Sequence, residues 1–225
     1  MIVITGASDG LGKSLAEKLS SSKEEKIIII ARDENRLKEI AEATNAHYFV
    51  CDVRKPEMVK RVFDQIHKDY GTIDVLINNA GVIINGDLVE TDDADIENVI
   101  ETNTLGAIYV AKYALIGMKQ AKRGLIINVV SQSGLNARAA RSIYNASKWA
   151  LTGFTKALQQ EVAPFGIKVT GFYPGTIKTR LFAKAGIELS GPSVSVEEAV
   201  AAIEYVIAQP PHILIPQIDI KHLEG

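Results

Sequence analysis

The stretch Ile2-Val3-Ile4-Thr5-Gly6-Ala7-Ser8-Asp9-Gly10-Leu11-Gly12 decides how the rest of the chain is read. A β-branched burst runs into three closely spaced glycines, and then into an amphipathic segment over residues 11–21. Glycine lets the backbone turn sharply and lets a ligand approach it closely. A helix starting there offers unpaired N–H groups and the positive end of its dipole, which suits a phosphate. In a doubly wound fold, the first strand–turn–helix junction is where dinucleotides bind.

Further along, apolar bursts recur at residues 26–31, 47–50, 73–77, 125–130, 167–172 and 213–218. Most are unbroken runs of Ile and Val, the pattern of strands covered on both faces. Between them lie helix-like segments at 34–43, 56–70, 92–102, 105–122, 143–163 and 196–209. In the segment 56–70, Val59, Val62, Phe63 and Ile66 repeat at spacings of three and four, with Pro56 at its start and Gly71 at its end. Parallel strands need crossover helices, so the alternation predicts an α/β, Rossmann-type doubly wound sheet of about seven mainly parallel strands. No Pro-rich or Ser/Gly-rich linker divides the 225 residues, so a single domain is expected over 1–225, with a short segment at about 180–195 over the substrate.

Composition narrows the function. Lys plus Arg number 25 against 27 Asp plus Glu, a formal charge of −2, which argues against a broadly basic nucleic-acid binder. Cys51 is the single cysteine, and there is no Cys/His cluster, so neither an internal disulfide nor a metal site is expected. No apolar run approaches the roughly 18 residues that cross a bilayer. The first strand begins at once, without a charged leader or cleavage site, and a cytoplasmic location is the expectation.

The spacing GxxxGxG, carried by Gly6, Gly10 and Gly12, resembles the glycine motif of the short-chain dehydrogenase/reductase family. So do Asn78-Asn79-Ala80-Gly81 after the fourth strand, Cys51-Asp52-Val53 after the third, and Pro174-Gly175-Thr176-Ile177-Lys178-Thr179 after the sixth. The resemblance implies a nicotinamide cofactor held by Gly6, Ser8, Gly10, Leu11, Gly12, Asp52, Val53, Asn79, Ala80, Gly81, Pro174, Gly175, Ile177 and Thr179. Asp52 would lie beside the adenine, and Thr179 would bind the carboxamide. An acidic residue after the second strand would bond both ribose hydroxyls and repel a 2′-phosphate, but Ala31 is followed here by Arg32. A guanidinium pairs with phosphate through a planar fork, so NADP(H) is expected, with NAD(H) as an alternative. Asp9 stands before the middle glycine, where many NADP-using members carry Lys or Arg.

Tyr144 and Lys148 sit one helical turn apart in Tyr144-Asn145-Ala146-Ser147-Lys148. A free Tyr titrates near about 10, and a nearby cation lowers that by roughly 1–3 units toward the range where proton transfer works well. Ser131, thirteen residues earlier, aligns with the family's catalytic serine, with Ser133 the competing candidate. Asn103 matches its fourth catalytic residue, and a helix break is expected there because Asn competes for backbone hydrogen bonds. Carried by Asn103, Ser131, Tyr144 and Lys148, the resemblance implies metal-free hydride transfer between NADP(H) and a small carbonyl or alcohol. Tyr144 would be the acid/base group, Lys148 would hold the ribose, and Asn103 would anchor a water. The alternative is a catalytically silent NADP(H) sensor, which has no need of all four residues.

The run Gln209-Pro210-Pro211-His212-Ile213-Leu214-Ile215-Pro216 resembles the ending of NADP-dependent 3-hydroxy-acid and serine dehydrogenases in that family. Leu181, Phe182 and Ile187 either close a pocket or pack into the core. The long helices at 105–122 and 143–163 match the family's subunit-pairing helices, so a homodimer or homotetramer is expected.

Overall fold

Side chains along a strand point alternately to opposite faces, so a strand covered on both sides must be apolar at every position. In β1 (Ile2–Thr5), Ile2 and Ile4 pack to one side of the sheet and Val3 to the other. The same alternation divides β2 (Ile27–Ala31), with Ile27 and Ile29 on the first side and Ile28 and Ile30 on the second. The computed structural model describes residues 1–21 and 25–224, apart from the side chain of Lys184.

Seven strands form one parallel sheet in the order β3-β2-β1-β4-β5-β6-β7, completed by β3 (His47–Val50), β4 (Val75–Asn78), β5 (Gly124–Val129), β6 (Ile167–Pro174) and β7 (Gln217–Ile220). One face is covered by α1 (Gly10–Leu19), α2 (Glu34–Thr44) and α8 (Val196–Ile207), through Leu15, Leu37 and Ile203. The other is covered by α3 (Pro56–Tyr70), α5 (Ala107–Ala121) and α6 (Ser142–Val162), through Phe63, Met118 and Leu158. Each large side chain fully buried this way contributes roughly 1.5–3 kcal/mol. The expected doubly wound fold is the one observed. Among the described residues no helix is long and apolar enough to cross a membrane.

Two local expectations change. The run 213–216 is not a strand; β7 begins only at Gln217, paired with Gly171. Pro216 has no N–H for a ladder, and its carbonyl instead accepts from Gly171 N at 3.1 Å and Gln159 Nε2 at 2.6 Å. Near Asn103 there is no break. After α4 (Asp93–Ile100) a π-helical turn, Glu101–Gly106, leads directly into α5. Asn103 is accommodated because its side chain bonds partners outside the helix, described below.

The sheet order reverses between β1 and β4, and the carboxyl ends of these strands are tied together. Thr5 Oγ1 accepts from Asn79 N at 3.0 Å and Ala80 N at 3.1 Å, while Asn79 Nδ2 donates to the carbonyls of Thr5 at 3.0 Å and Gly6 at 3.2 Å. Thr5→Val keeps the shape and removes the acceptor, leaving two donors unpaired at about 1–3 kcal/mol each. Urea unfolding of Thr5→Val is expected to show a loss of about 2–4 kcal/mol; a loss under about 0.5 kcal/mol shows that this tie is not structural.

Candidate active site

A cavity of about 1040 Å³ opens along the carboxyl ends of the strands. At its centre, Gly6 (φ +65°) and Gly10 (φ +51°) turn the chain from β1 into α1, and the Asp9 carboxylate caps the helix by accepting from Gly10 N at 2.9 Å. A Cβ on Gly6 would stand 2.7 Å from Ala80 Cα. Gly12 does not line the cavity. A Cβ there would stand 2.5 Å from Gly6 O and 2.6 Å from Asn79 Nδ2, so its absence lets α1 pack against the turn. The other expected cofactor positions, Ser8, Leu11, Asp52, Val53, Asn79, Ala80, Gly81, Pro174, Gly175, Ile177 and Thr179, all line this cavity.

At one end lies Arg32, exposed and, among the described residues, without an ion pair. Beside it is Arg36, which the sequence reading passed over. Its guanidinium bridges Asp9 Oδ2 at 3.1 Å and Asp33 Oδ2 at 3.3 Å. The signal was available: Arg36 is one helical turn beyond Arg32. Asp52 is engaged by Arg54, whose Nη2 lies 2.6 Å from Oδ2, and this hydrogen bonding holds the carboxyl below its usual range. Arg54 Nη1 reaches on to Asn98 Oδ1 at 3.1 Å.

At the other end stand Ser131, Tyr144 and Lys148. Ser131 follows β5 with φ 151° and ψ 160°, a strained conformation for a residue other than glycine. Its hydroxyl accepts from Ser133 N at 3.1 Å, and it stands close enough to the Tyr144 phenol to favour its ionised form. Ser133 is buried away from the cavity, which leaves Ser131 as the serine that faces it. Lys148 Nζ donates to Val129 O at 3.1 Å and lies 5.8 Å from the centre of the Tyr144 ring. Asn103 lies behind this group and does not reach the cavity. Its Oδ1 accepts from Val82 N at 2.8 Å, and its Nδ2 donates to Val82 O at 2.8 Å and Ser147 Oγ at 3.0 Å. The side-chain amide braces the loop after β4 against α6.

A family model described as short chain dehydrogenase matches residues 1–189. The chain belongs to the short-chain dehydrogenase family. It is 36% identical over 177 residues to carbonyl reductase family member 4 of Xenopus tropicalis, covering 78% of this chain and 75% of that one. It is 31% identical to farnesol dehydrogenase of Aedes aegypti, over 97% of this chain and 94% of the other. Among solved structures, the closed form of serine dehydrogenase complexed with NADP+ superposes with a TM-score of 0.93 at 25% identity, covering 100% of this chain and 96% of that one.

In this short-chain dehydrogenase the electrostatics of the Tyr144 end differ from the expectation of a lowered phenol. Burial raises the Tyr144 pKa, and Ser131 and the Arg141 charge offset this only partly. Lys148 is itself buried, and its ammonium is pushed down to about 8. Among the described residues no group of His, Cys, Asp and Glu could hold a metal ion. Cys51 lines the cavity, but burial pushes its thiol up to about 11.

The Lys148 shift makes a prediction with a definite sign. A buried lysine binds its proton less readily folded than unfolded, so its charge opposes folding below pH 8. That penalty fades as pH rises from about 8 toward 10.5. Relative to Lys148→Met, the parent protein is expected to gain most of about 3 kcal/mol across that window, read by denaturant unfolding at each pH. A stability gap that stays flat between pH 7.5 and 10.5 contradicts a buried ammonium at this position.

Proposed function

We propose that this chain is an NADP(H)-dependent oxidoreductase that interconverts a small carbonyl compound and its alcohol, with Tyr144 as the acid/base group. The observation that carries the reading is one cavity with Ser131, Tyr144 and Lys148 at one end and Arg32, exposed and without an ion pair among the described residues, at the other. The residues fit a nicotinamide dinucleotide. The glycine turn leaves bare backbone at the amino end of α1, where phosphates bind, and the cavity matches the upper size of small-molecule sites. Gly6, Ser8, Gly10 and Leu11 would hold the pyrophosphate, Asp52 and Val53 the adenine, and Arg32 the 2′-phosphate. Asn79, Ala80, Gly81, Lys148, Pro174, Gly175, Ile177 and Thr179 would hold the nicotinamide ribose and ring. Similarity to a carbonyl reductase, and to a serine dehydrogenase complexed with NADP+, supports the same reading.

A bound nicotinamide cofactor supplies the hydride to the substrate carbon or accepts it from there. Tyr144 gives its proton to the carbonyl oxygen in reduction and takes it back in oxidation. Ser131 donates a hydrogen bond to the same oxygen and stabilises the charge that develops on it. A phenol whose pKa is raised by burial keeps its proton at neutral pH, which suits reduction. Lys148, when charged, favours proton release for the reverse direction. Asn103 positions Val82 and Ser147; with its side chain engaged, any water it anchors is held by its main chain. Leu105, Ile116 and Trp149, exposed along the π turn, α5 and α6, form the face through which copies of this chain would pair.

Two variants test the reading by loss of absorbance at the NADPH band and by direct NADPH binding. Tyr144→Phe is expected to bind NADPH as the parent does and lose about 10²–10⁴ in turnover; preserved turnover removes Tyr144 from the mechanism. Arg32→Ala is expected to weaken NADPH by about 10–100-fold while leaving NADH nearly unchanged; equal losses would refute the phosphate role.

A further inference from the structure

At the Arg32 end of the cavity, two carboxylates grip one guanidinium. Arg36, in the first turn of α2, places Nη1 3.1 Å from Asp9 Oδ2 on the glycine turn and Nε 3.3 Å from Asp33 Oδ2. Asp33 also caps α2, its Oδ1 accepting from Arg36 N at 3.2 Å. A pair three residues apart forms readily on any helix. Asp9, by contrast, is 27 residues away, and it meets Arg36 because β1 and β2 lie side by side. Asp9, Arg32, Asp33 and Arg36 all line the cavity.

An arginine presents its N–H groups in a planar fork. The two ion pairs engage Nε and Nη1 of Arg36, and among the described residues its Nη2 makes no hydrogen bond or ion pair. The guanidinium is thus fixed in orientation and still has donors to offer. The carboxylates beside it are already turned to donors of the protein. Asp9 accepts from Gly10 N at 2.9 Å and from Arg36, and its Oδ2 lies 3.6 Å from Nε of Arg180, which begins α7 (Arg180–Lys184). Asp52, whose carboxyl feels the charge of Arg32, is itself paired with Arg54 at 2.6 Å. The guanidinium groups of Arg32, Arg36 and Arg180 therefore outnumber Asp9 and Asp33, and the surplus charge suits an anion.

On the reading that this end of the cavity receives the 2′-phosphate of NADP(H), we propose that Arg36 is a second ligand of that phosphate, positioned by Asp9 and Asp33, and shares with Arg32 the choice between NADPH and NADH. A phosphate monoester carries about −1.5 to −2 charge at neutral pH and three acceptor oxygens, enough for both forks. The 2′-hydroxyl of NADH is neutral and gains little from a cation. The two carboxylates hold the Arg36 side chain before the ligand arrives, so less rotamer freedom is lost on binding.

The test titrates NADPH and NADH into the purified parent protein, Arg36→Met and Arg36→Lys, with binding followed by calorimetry. Arg36→Met keeps the aliphatic stem and is expected to weaken NADPH by about 10–100-fold and NADH by no more than about threefold. NADH binding retained by the variant shows that its fold is intact. Arg36→Lys keeps the charge, loses the fork, and is expected to fall between the parent and Arg36→Met. Adenosine 2′,5′-bisphosphate and adenosine 5′-phosphate isolate this end of the cofactor, and the advantage of the first is expected to shrink by at least about tenfold in Arg36→Met. Equal losses of NADPH and NADH in Arg36→Met overturn the inference, since Arg36 then only neutralises Asp9 beside the phosphates common to both. If Arg32→Ala alone lowers NADPH affinity relative to NADH, the role of Arg36 falls and the 2′-phosphate reading stands. A ratio unchanged in both variants overturns both.

Discussion

The hydroxyl of Thr5 holds the candidate site together. It is the last residue of β1, and it accepts the N–H groups of Asn79 and Ala80 just after β4. These strands lie side by side where the sheet order reverses, so their connections leave in opposite directions and a crevice opens between them. A crevice between two loops keeps its shape only if the loops are fixed to each other. The side chain of Asn79 completes the tie at the carbonyls of Thr5 and Gly6, and the missing side chains of Gly6 and Gly12 allow the approach.

From that tie the loop after β4 runs toward Tyr144, and a second brace takes over. Asn103 sits in a π turn, a feature that recurs at functional sites because it breaks the regular hydrogen-bond ladder. The amide of Asn103 clasps both main-chain polar groups of Val82 and then bonds Ser147, whose hydroxyl donates to the carbonyl of Tyr144 at 2.7 Å. The cavity-lining loop after β4 and the helix that carries Tyr144 are thereby fastened together. A proton-transfer group must be held within hydrogen-bond reach of its partner, and rigidity of this kind supplies that.

The parts legible in the sequence are those governed by local or periodic rules. Strands buried on both faces must be apolar throughout, so β1 and β2 announced themselves, and α3 showed its buried stripe at Val59, Phe63 and Ile66. Context decided the rest. Ile213, Leu214 and Ile215 look like a strand, but the proline after them cannot pair, and the ladder starts beyond it. Asn103 looked like a helix breaker because its three external partners are distant in sequence. The direction of the Tyr144 pKa depended on a competition invisible in YxxxK. Burial of both side chains opposes the phenolate and the ammonium alike, and the motif alone does not show it. Arg36 drew no notice in the sequence because Asp9, 27 residues away, meets it only in the fold.

The net charge of −2 conceals how charge is distributed along the cavity. Arg32 and Arg36 gather at the far end, where the fold places the turn after β2. Asp87, Glu90, Asp92 and Asp95 line the same cavity. On the proposed reading, a 2′-phosphate would find guanidinium groups among the cavity's lining residues only at the Arg32 and Arg36 end. Asp9 has two effects. It looks like an obstacle to phosphate binding in the sequence, yet in the fold it caps α1 and draws Arg36 and Arg180 toward the phosphate loop.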